Sequence, residues 1–196
     1  MRSTRFHADW VFLNFPFDVR YRDLYVALVS GLVLFGLKPK CVLEVSDGKA
    51  RLDRLIRLLE KCKYSIHDLS RTTGRHNMPF ELGLARMLQH HRPSHQIFVL
   101  DDQPYRLDKT CSDMKAFDPL VHGNDPESLL EALENKFHRS ERSLKWKQVK
   151  AFHGAVKQAL EPELRDRKAH DPYSSTIFKS IIEVSAVAAE SIGLLR

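Results

Sequence analysis

Tyr64-Ser65-Ile66-His67-Asp68-Leu69-Ser70, followed after a short polar loop by Asn77-Met78-Pro79-Phe80-Glu81-Leu82-Gly83-Leu84-Ala85, decides how this chain reads. A run of strand length ends in a polar tip, a loop follows, and a helical pattern opens around a proline. Proline suits the first positions of a helix, where its missing N–H has no intrahelical partner. The spacing predicts a strand over Tyr64–Leu69 and a helix over Met78–Gln89, with Glu81 in the first turn, close to the positive end of the helix dipole. That puts a carboxylate at the mouth of a βα unit. In a parallel sheet such mouths open on the crevice outside the carboxyl ends of the strands, where ligands bind. Glu81 is therefore the first functional candidate.

The same alternation extends in both directions. Trp10–Phe15 (WVFLNF) is an apolar run stopped by Pro16, and Lys40–Val45 and Gln96–Leu100 are two more strand-length runs. Between them, Arg22–Phe35 has apolar residues at helical spacing and closes on Gly36 as a C-cap. Arg51–Lys61 sets Leu52, Leu55, Ile56 and Leu59 on one side with charges opposite, an amphipathic helix. Strands alternating with helices of this length indicate βαβ units and a parallel sheet. Right-handed crossovers favour the flavodoxin-like order, in which the first and third strands are neighbours. The fold class expected is thus α/β, a flavodoxin-like parallel sheet flanked by helices, with a fifth edge strand within Phe117–Val121. Beyond it Asp125-Pro126 reads as the cap of a helix to Phe137, and helices over Lys145–Leu164 and Ser174–Leu195 follow. The division expected is an α/β domain over 1–124 and a helical extension over 125–196. The last helix carries Ile177, Ile181, Val184, Ala188 and Ile192, a stripe that calls for cover by the core or by a second subunit.

Composition narrows the classes. The chain has 196 residues, 43% of them hydrophobic, without an uninterrupted apolar stretch of membrane-spanning length or a signal-peptide pattern. A soluble protein is expected, with no membrane partner. Three cysteines, Cys41, Cys62 and Cys111, lack CxxC spacing and point to a reducing compartment, hence to the cytoplasm. The net charge of +6 is spread among interleaved acids, the pattern of solvated helix faces rather than of a nucleic-acid-binding module, and no nucleic-acid partner is expected. His90, His91 and His95 lack metal-site spacing, so no metal is expected.

The strand tip, the loop and the NMPFELGLA helix together resemble the superfamily that unites Toll/interleukin-1 receptor (TIR) domains with nucleoside deoxyribosyltransferases. VFLNFPFD, Val11 to Asp18, is similar to the VFxSF strand and acidic loop that open TIR domains, and Cys62 to Ser70 to their xSxxxLS strand. Phe80-Glu81-Leu82-Gly83-Leu84-Ala85 is similar to the GTxxELGxA helix of the transferases from the glutamate onward. The likeness covers residues 9–101. Beyond them, Tyr105-Arg106 and Ser112-Asp113 resemble the YR…SD segment of a bacterial group of uncharacterised TIR-like proteins.

The resemblance implies a TIR-like N-glycoside hydrolase or ribosyltransferase. NAD or a related nucleotide would be its substrate, with no bound cofactor, and antiphage defence in a bacterium its setting. Glu81 would stabilise the oxocarbenium-like carbon of a ribose whose base is leaving, as glycosidase carboxylates do. His67 would act as general acid for the base, or serve as a satisfied core histidine. Asp68 would orient a ribose hydroxyl, or cap the loop after its strand. Asn14, Phe15, Phe17 and Asp18 form a loop able to stack on a base and hold a ribose, although the two phenylalanines equally suit core closure. Ser70 and Asn77 complete the substrate-facing set. Asn77-Met78-Pro79 replaces the GT of the transferases and the SxWC of TIR domains, and Asn14 stands where TIR domains have serine. Those departures favour the alternative, a non-catalytic nucleotide-sensing or TIR–TIR interaction module. A homo-oligomer or a defence-operon partner is the expected assembly.

Overall fold

The computed structural model describes residues 6–44, 50–74, 76–106, 118–137, 144–165 and 171–193. Val45, Cys111, Ser112-Asp113 and Phe117 lie outside the described residues. The chain divides into two compact units, one of residues 1–16 and 38–123, the other of residues 17–37 and 124–196. Segment 17–37 thus groups with the C-terminal helices and not with the strands it lies between in sequence.

The first unit is built on a five-stranded, all-parallel sheet in the order β2-β1-β3-β4-β5. Its strands are β1 (His7–Asn14), β2 (Lys38–Cys41), β3 (Cys62–Asp68), β4 (Gln96–Asp101) and β5 (Leu120–Val121). The first and third strands are neighbours, as the alternation of elements predicts. Val11 to Asn14 and Ser65 to Asp68 are buried without a break, the signature of central strands covered on both faces. Pro39 lies in β2, which pairs with β1 alone. A residue without an N–H is tolerated there because an edge strand has one unpaired side.

Helices α2 (Arg51–Lys61) and α3 (Asn77–His91) cover one face of this sheet. Leu55 and Leu59 from α2, and Met78, Leu82 and Ala85 from α3, form one core with Phe12, Ile97 and Val99. The amino edge of the sheet is closed by His95, whose Nδ1 donates to Cys62 O (3.1 Å) and whose Nε2 accepts from Ser65 Oγ (3.0 Å). Arg92 adds a second donor to Cys62 O at 2.8 Å. Cys41 and Cys62 are free and buried, and burial pushes the Cys62 thiol up to about 12.

The second unit contains α1 (Arg22–Leu34), α4 (Pro126–Phe137), α5 (Trp146–Arg165) and α6 (Ser175–Ser191), with α1 packed against the other three. Every residue of α1 from Leu24 to Leu34 is buried, because its sequence is apolar nearly all round. Gly31 permits the close approach of α4: a Cβ there would stand 2.8 Å from Leu130 Cδ2 and 3.1 Å from Leu133 Cδ1. Gly36, at φ 76°, ends α1 in the left-handed conformation expected of its C-cap.

The stripe of α6 differs from expectation. Ile177, Phe178, Ile181, Ser185 and Ala189 are buried, while Val184 and Ala188 are half-buried and Ile192 is exposed. A contact face followed in steps of four residues drifts to 185 and 189, away from the 184, 188 and 192 that steps of three and four select. The helix docks on α1 and α5 within its own unit, so burial of the stripe requires no second subunit. Among the described residues no helix is long and apolar enough to cross a membrane.

Candidate active site

Helix α3 begins at Asn77, so Pro79 is its third residue and Glu81 its fifth. Glu81 therefore lies in the second turn, not the first. Proline still finds its missing N–H among the four that have no intrahelical acceptor, and this lets the helix start two residues ahead of it. The shift weakens the dipole argument for Glu81 but places the residue elsewhere of interest. Met78, Glu81, Leu82 and Ala85 are the buried residues of α3, spaced i, i+3, i+4 and i+7, so the carboxyl group sits on the stripe that packs on the sheet.

Glu81 is 9% exposed. Burial pushes its carboxyl group up to about 7, against the opposing influence of the Arg51 guanidinium at the start of α2. No hydrogen bond or ion pair holds the Glu81 carboxyl group among the described residues. It is thus a desolvated acid that titrates near neutrality, close to the carboxyl end of the sheet.

Asn14, at the tip of β1, ties that region together. Its Nδ2 donates to Met78 O in the first turn of α3 (2.9 Å) and lies 3.1 Å from His67 Nδ1 on β3. An amide nitrogen is only a donor, so His67 Nδ1 accepts and the ring proton sits on Nε2. His67 is completely buried, and this desolvation pushes its pKa down to about 3. It is a neutral imidazole at physiological pH. Of the two readings of His67, general acid for the base or core histidine, the burial of the ring favours the second, because a charged imidazole has no solvation there. Its Nε2 has no hydrogen-bond partner among the described residues.

Asp68 follows His67 and so points to the opposite face of the sheet. Its Oδ1 accepts from Ser70 N (2.9 Å), and its Oδ2 lies 3.0 Å from His122 Nε2 in a fully buried acid–base contact. These are the contacts of a loop cap, the structural alternative weighed for this residue. The sheet separates Asp68 from the face covered by α3. Ser70 is buried, and its Oγ has no hydrogen-bond partner among the described residues. Phe15 is buried, which suits core closure, and Asn77 is exposed at the first position of α3.

Phe17 and Asp18 belong to the second unit. There Phe17 stacks on Tyr173 with centroids 5.2 Å apart. Asp18 Oδ1 accepts from Arg20 N at 2.9 Å, capping a short 3-10 turn, and the Tyr173 hydroxyl donates to Asp18 O. Both residues thus have structural work within that unit.

One element of the carboxyl edge had only a faint sequence signal, the Tyr105-Arg106 dipeptide. Arg106 Nε donates to Asp101 Oδ1 at the end of β4 (2.8 Å), and its Nη2 donates to Leu69 O just past β3. Asp101 is 1% exposed, and burial raises its pKa against the pull of Arg106. This clamp fixes the tips of β3 and β4 relative to each other. Among the described residues no group of three His, Cys, Asp or Glu side chains is placed to hold a metal ion.

The chemistry available here is that of one carboxyl group, buried enough to carry its proton near neutrality and to act strongly on any positive charge brought beside it. No known family model matches this chain, and no curated protein matches it.

Proposed function

We propose that this chain is a TIR-like N-glycoside hydrolase or ribosyltransferase acting on NAD or a related nucleotide, with Glu81 as its catalytic carboxylate and Asn14 positioning it through α3. The observation that carries the reading is the isolated, buried Glu81 carboxyl group on the sheet-facing side of α3. The first turn of that helix is tied to the end of β1 by the Asn14–Met78 hydrogen bond, and β1 and β3 are the neighbouring strands at which the connections of the sheet switch direction. Crevices at such switch points are the ligand sites of open parallel sheets.

The same geometry narrows the leaving group. His67 is neutral and buried, and Asp68 lies on the other face, so neither is placed to protonate a departing base from beside Glu81. A pyridinium base needs no proton. When its bond to C1′ breaks, the electron pair neutralises the ring nitrogen, and the positive charge passes to the ribose, where an ionised Glu81 stabilises it. Water then adds to C1′ and releases a proton, or an alcohol or second base adds in a transfer. NAD carries such a base. Neutral purine nucleosides do not, and they are the poorer substrates on this reading.

The alternative, a module that binds a nucleotide without chemistry, is favoured by one observation: Asp68, the second carboxylate of the expected set, is committed to Ser70 and His122. The deciding experiment incubates purified protein with NAD and with a panel of nucleosides and measures released base by chromatography. Activity requiring ionised Glu81 should rise with pH and level off above about 7, the value to which burial brings this group. Glu81→Gln should lower turnover by about 100-fold or more with little change in KM, as removal of a charge acting in the transition state does. Base release by a folded Glu81→Gln protein at the wild-type rate refutes the assignment. Saturable NAD binding with no turnover by the wild type establishes the sensor reading instead.

A further inference from the structure

A second concave surface lies on the first unit, away from Glu81, between edge strand β2 and the outer side of α2. It is a groove of about 370 Å³ whose charged and aromatic lining is Trp10, Lys40, Glu44, Arg54, Arg57 and Lys61. Four of these side chains are cationic and one is acidic. The acid is already engaged: Glu44 Oε1 accepts from Lys40 Nζ at 3.0 Å, and Oε2 accepts from Cys41 N at 3.3 Å. Arg57 and Lys61 make no ion pair among the described residues. The lining therefore holds an excess of positive charge that its own carboxylate does not meet.

Arg54, Arg57 and Lys61 follow an i, i+3, i+7 spacing along α2, one helix face with about one cation per turn over about 10 Å. Like charges so arranged repel one another, by a few tenths of a kcal/mol per neighbouring pair. A ligand with two adjacent anionic groups removes that repulsion, and the planar arginine forks suit phosphate oxygens. Trp10 limits what else is recognised. His7 stacks on it at 3.9 Å with planes 10° apart, and Lys40 Nζ stands 5.0 Å from its ring centroid. The stacked His7 ring and the Lys40 ammonium both take up the indole's π-surface, so Trp10 serves as a wall that orients Lys40 and leaves less aromatic surface for a nucleobase.

We propose that this groove is a binding site for a diphosphate group, held by Arg54, Arg57 and Lys61 against the wall made by Trp10 and Lys40, with affinity set by the phosphates and not by any attached base. The inference is independent of the role given to Glu81.

The test is calorimetric titration of the whole chain with inorganic diphosphate, ADP and adenosine. Inorganic diphosphate and ADP should each bind one per chain with similar affinity, and adenosine should not bind. The double variant Arg57→Ala/Lys61→Ala should weaken both ligands by about tenfold or more, a loss typical of charge-assisted contacts. A control double variant at exposed cations elsewhere, Lys147→Ala/Lys179→Ala, should leave binding unchanged. Circular dichroism should give all three proteins the same spectrum, since the substituted side chains lie at the surface. No binding of inorganic diphosphate overturns the proposal, as does equal weakening in both double variants. Tighter binding of a short single-stranded oligonucleotide, lost in Arg57→Ala/Lys61→Ala, also overturns it and makes the groove a track for a phosphodiester chain.

Discussion

Replacing Glu81 by glutamine should make the protein more stable above neutral pH and leave it nearly unchanged in mild acid. The acid's ordinary pKa of 4.5 is raised to about 7 by burial. Between these values the unfolded chain releases the Glu81 proton while the folded chain keeps it, so the folded state binds more protons and stability falls as pH rises through this window. At about 1.4 kcal/mol per pH unit, the whole interval costs the wild type about 3 kcal/mol, an upper figure because local relaxation and water entry lessen it. Glutamine has nearly the same shape and never ionises. The variant should therefore exceed the wild type by under about 1 kcal/mol at pH 5 and by about 3 kcal/mol at pH 8. Urea denaturation followed by far-ultraviolet circular dichroism measures both values. The buried histidines, His67 and His95, have pKa values depressed to about 3 and about 4, and act in the opposite direction, favouring the fold as pH rises. Their influence is common to both proteins and cancels in the difference. A stability difference independent of pH, or a variant less stable than wild type at pH 8, would refute the reasoning, because either result means that the fold does not desolvate the Glu81 carboxyl group.

Two further substitutions probe the frame of the site and of the helical unit. Asn14→Ala removes the donor shared by Met78 O and His67 Nδ1, leaves two buried acceptors unmet, and should cost about 2–4 kcal/mol in urea denaturation; a loss below about 0.5 kcal/mol would mean that β1 and α3 are joined by other contacts. Gly31→Ala sets a methyl group 2.8 Å from Leu130 Cδ2, and the strain should outweigh the better helix propensity of alanine to give a net loss of about 1–2 kcal/mol, read as a lower thermal midpoint; a raised midpoint would show that Leu130 swings aside freely.

The parts of this structure that were legible in the sequence are those set by local pattern. WVFLNF, an apolar run stopped by Pro16, and YSIHD, a run of strand length ending in a polar tip, read as strands, and the helices between them follow from spacing and caps. Asp125-Pro126 opens α4 where expected, and Asp125 Oδ2 accepts from Ser128 N at 2.8 Å. What local pattern does not carry is desolvation. His67 and His95 are the same residue type and both end up neutral and buried, yet sequence spacing distinguishes neither from an exposed histidine. Pairings across long chain separations were equally hidden. Tyr173 reaches Asp18 from the far end of the chain, and His122 meets Asp68 from beyond β5. Helix α1 was legible as a helix but its packing partners were not: an apolar surface all round has no preferred side, so its pattern does not say which helices will cover it.

Two of the buried histidines, His67 and His95, also show how the ends of the sheet differ. At the amino edge both ring nitrogens of His95 are paired, one with Ser65 Oγ and one with Cys62 O. At the carboxyl edge His67 pairs through Nδ1 alone, and Ser70 Oγ and Asp101 Oδ2 likewise find no partner among the described residues. Each such group costs about 1–3 kcal/mol, and Glu81 adds the cost of an ionised acid above neutrality. A sheet end optimised only for stability would satisfy these groups or replace them, as the amino edge does for His95. Among the described residues three unmet polar groups lie at the carboxyl edge, against Arg92 Nε at the amino edge and His153 Nδ1 in the second unit, and such groups are retained where something other than stability selects them. Glu81→Gln therefore tests the two demands in one protein. The change should stabilise the fold at pH 8 because the acid is buried, whatever its role. It should remove base release as well if Glu81 is the catalytic carboxylate, whereas a purely structural glutamate would give the first effect without the second.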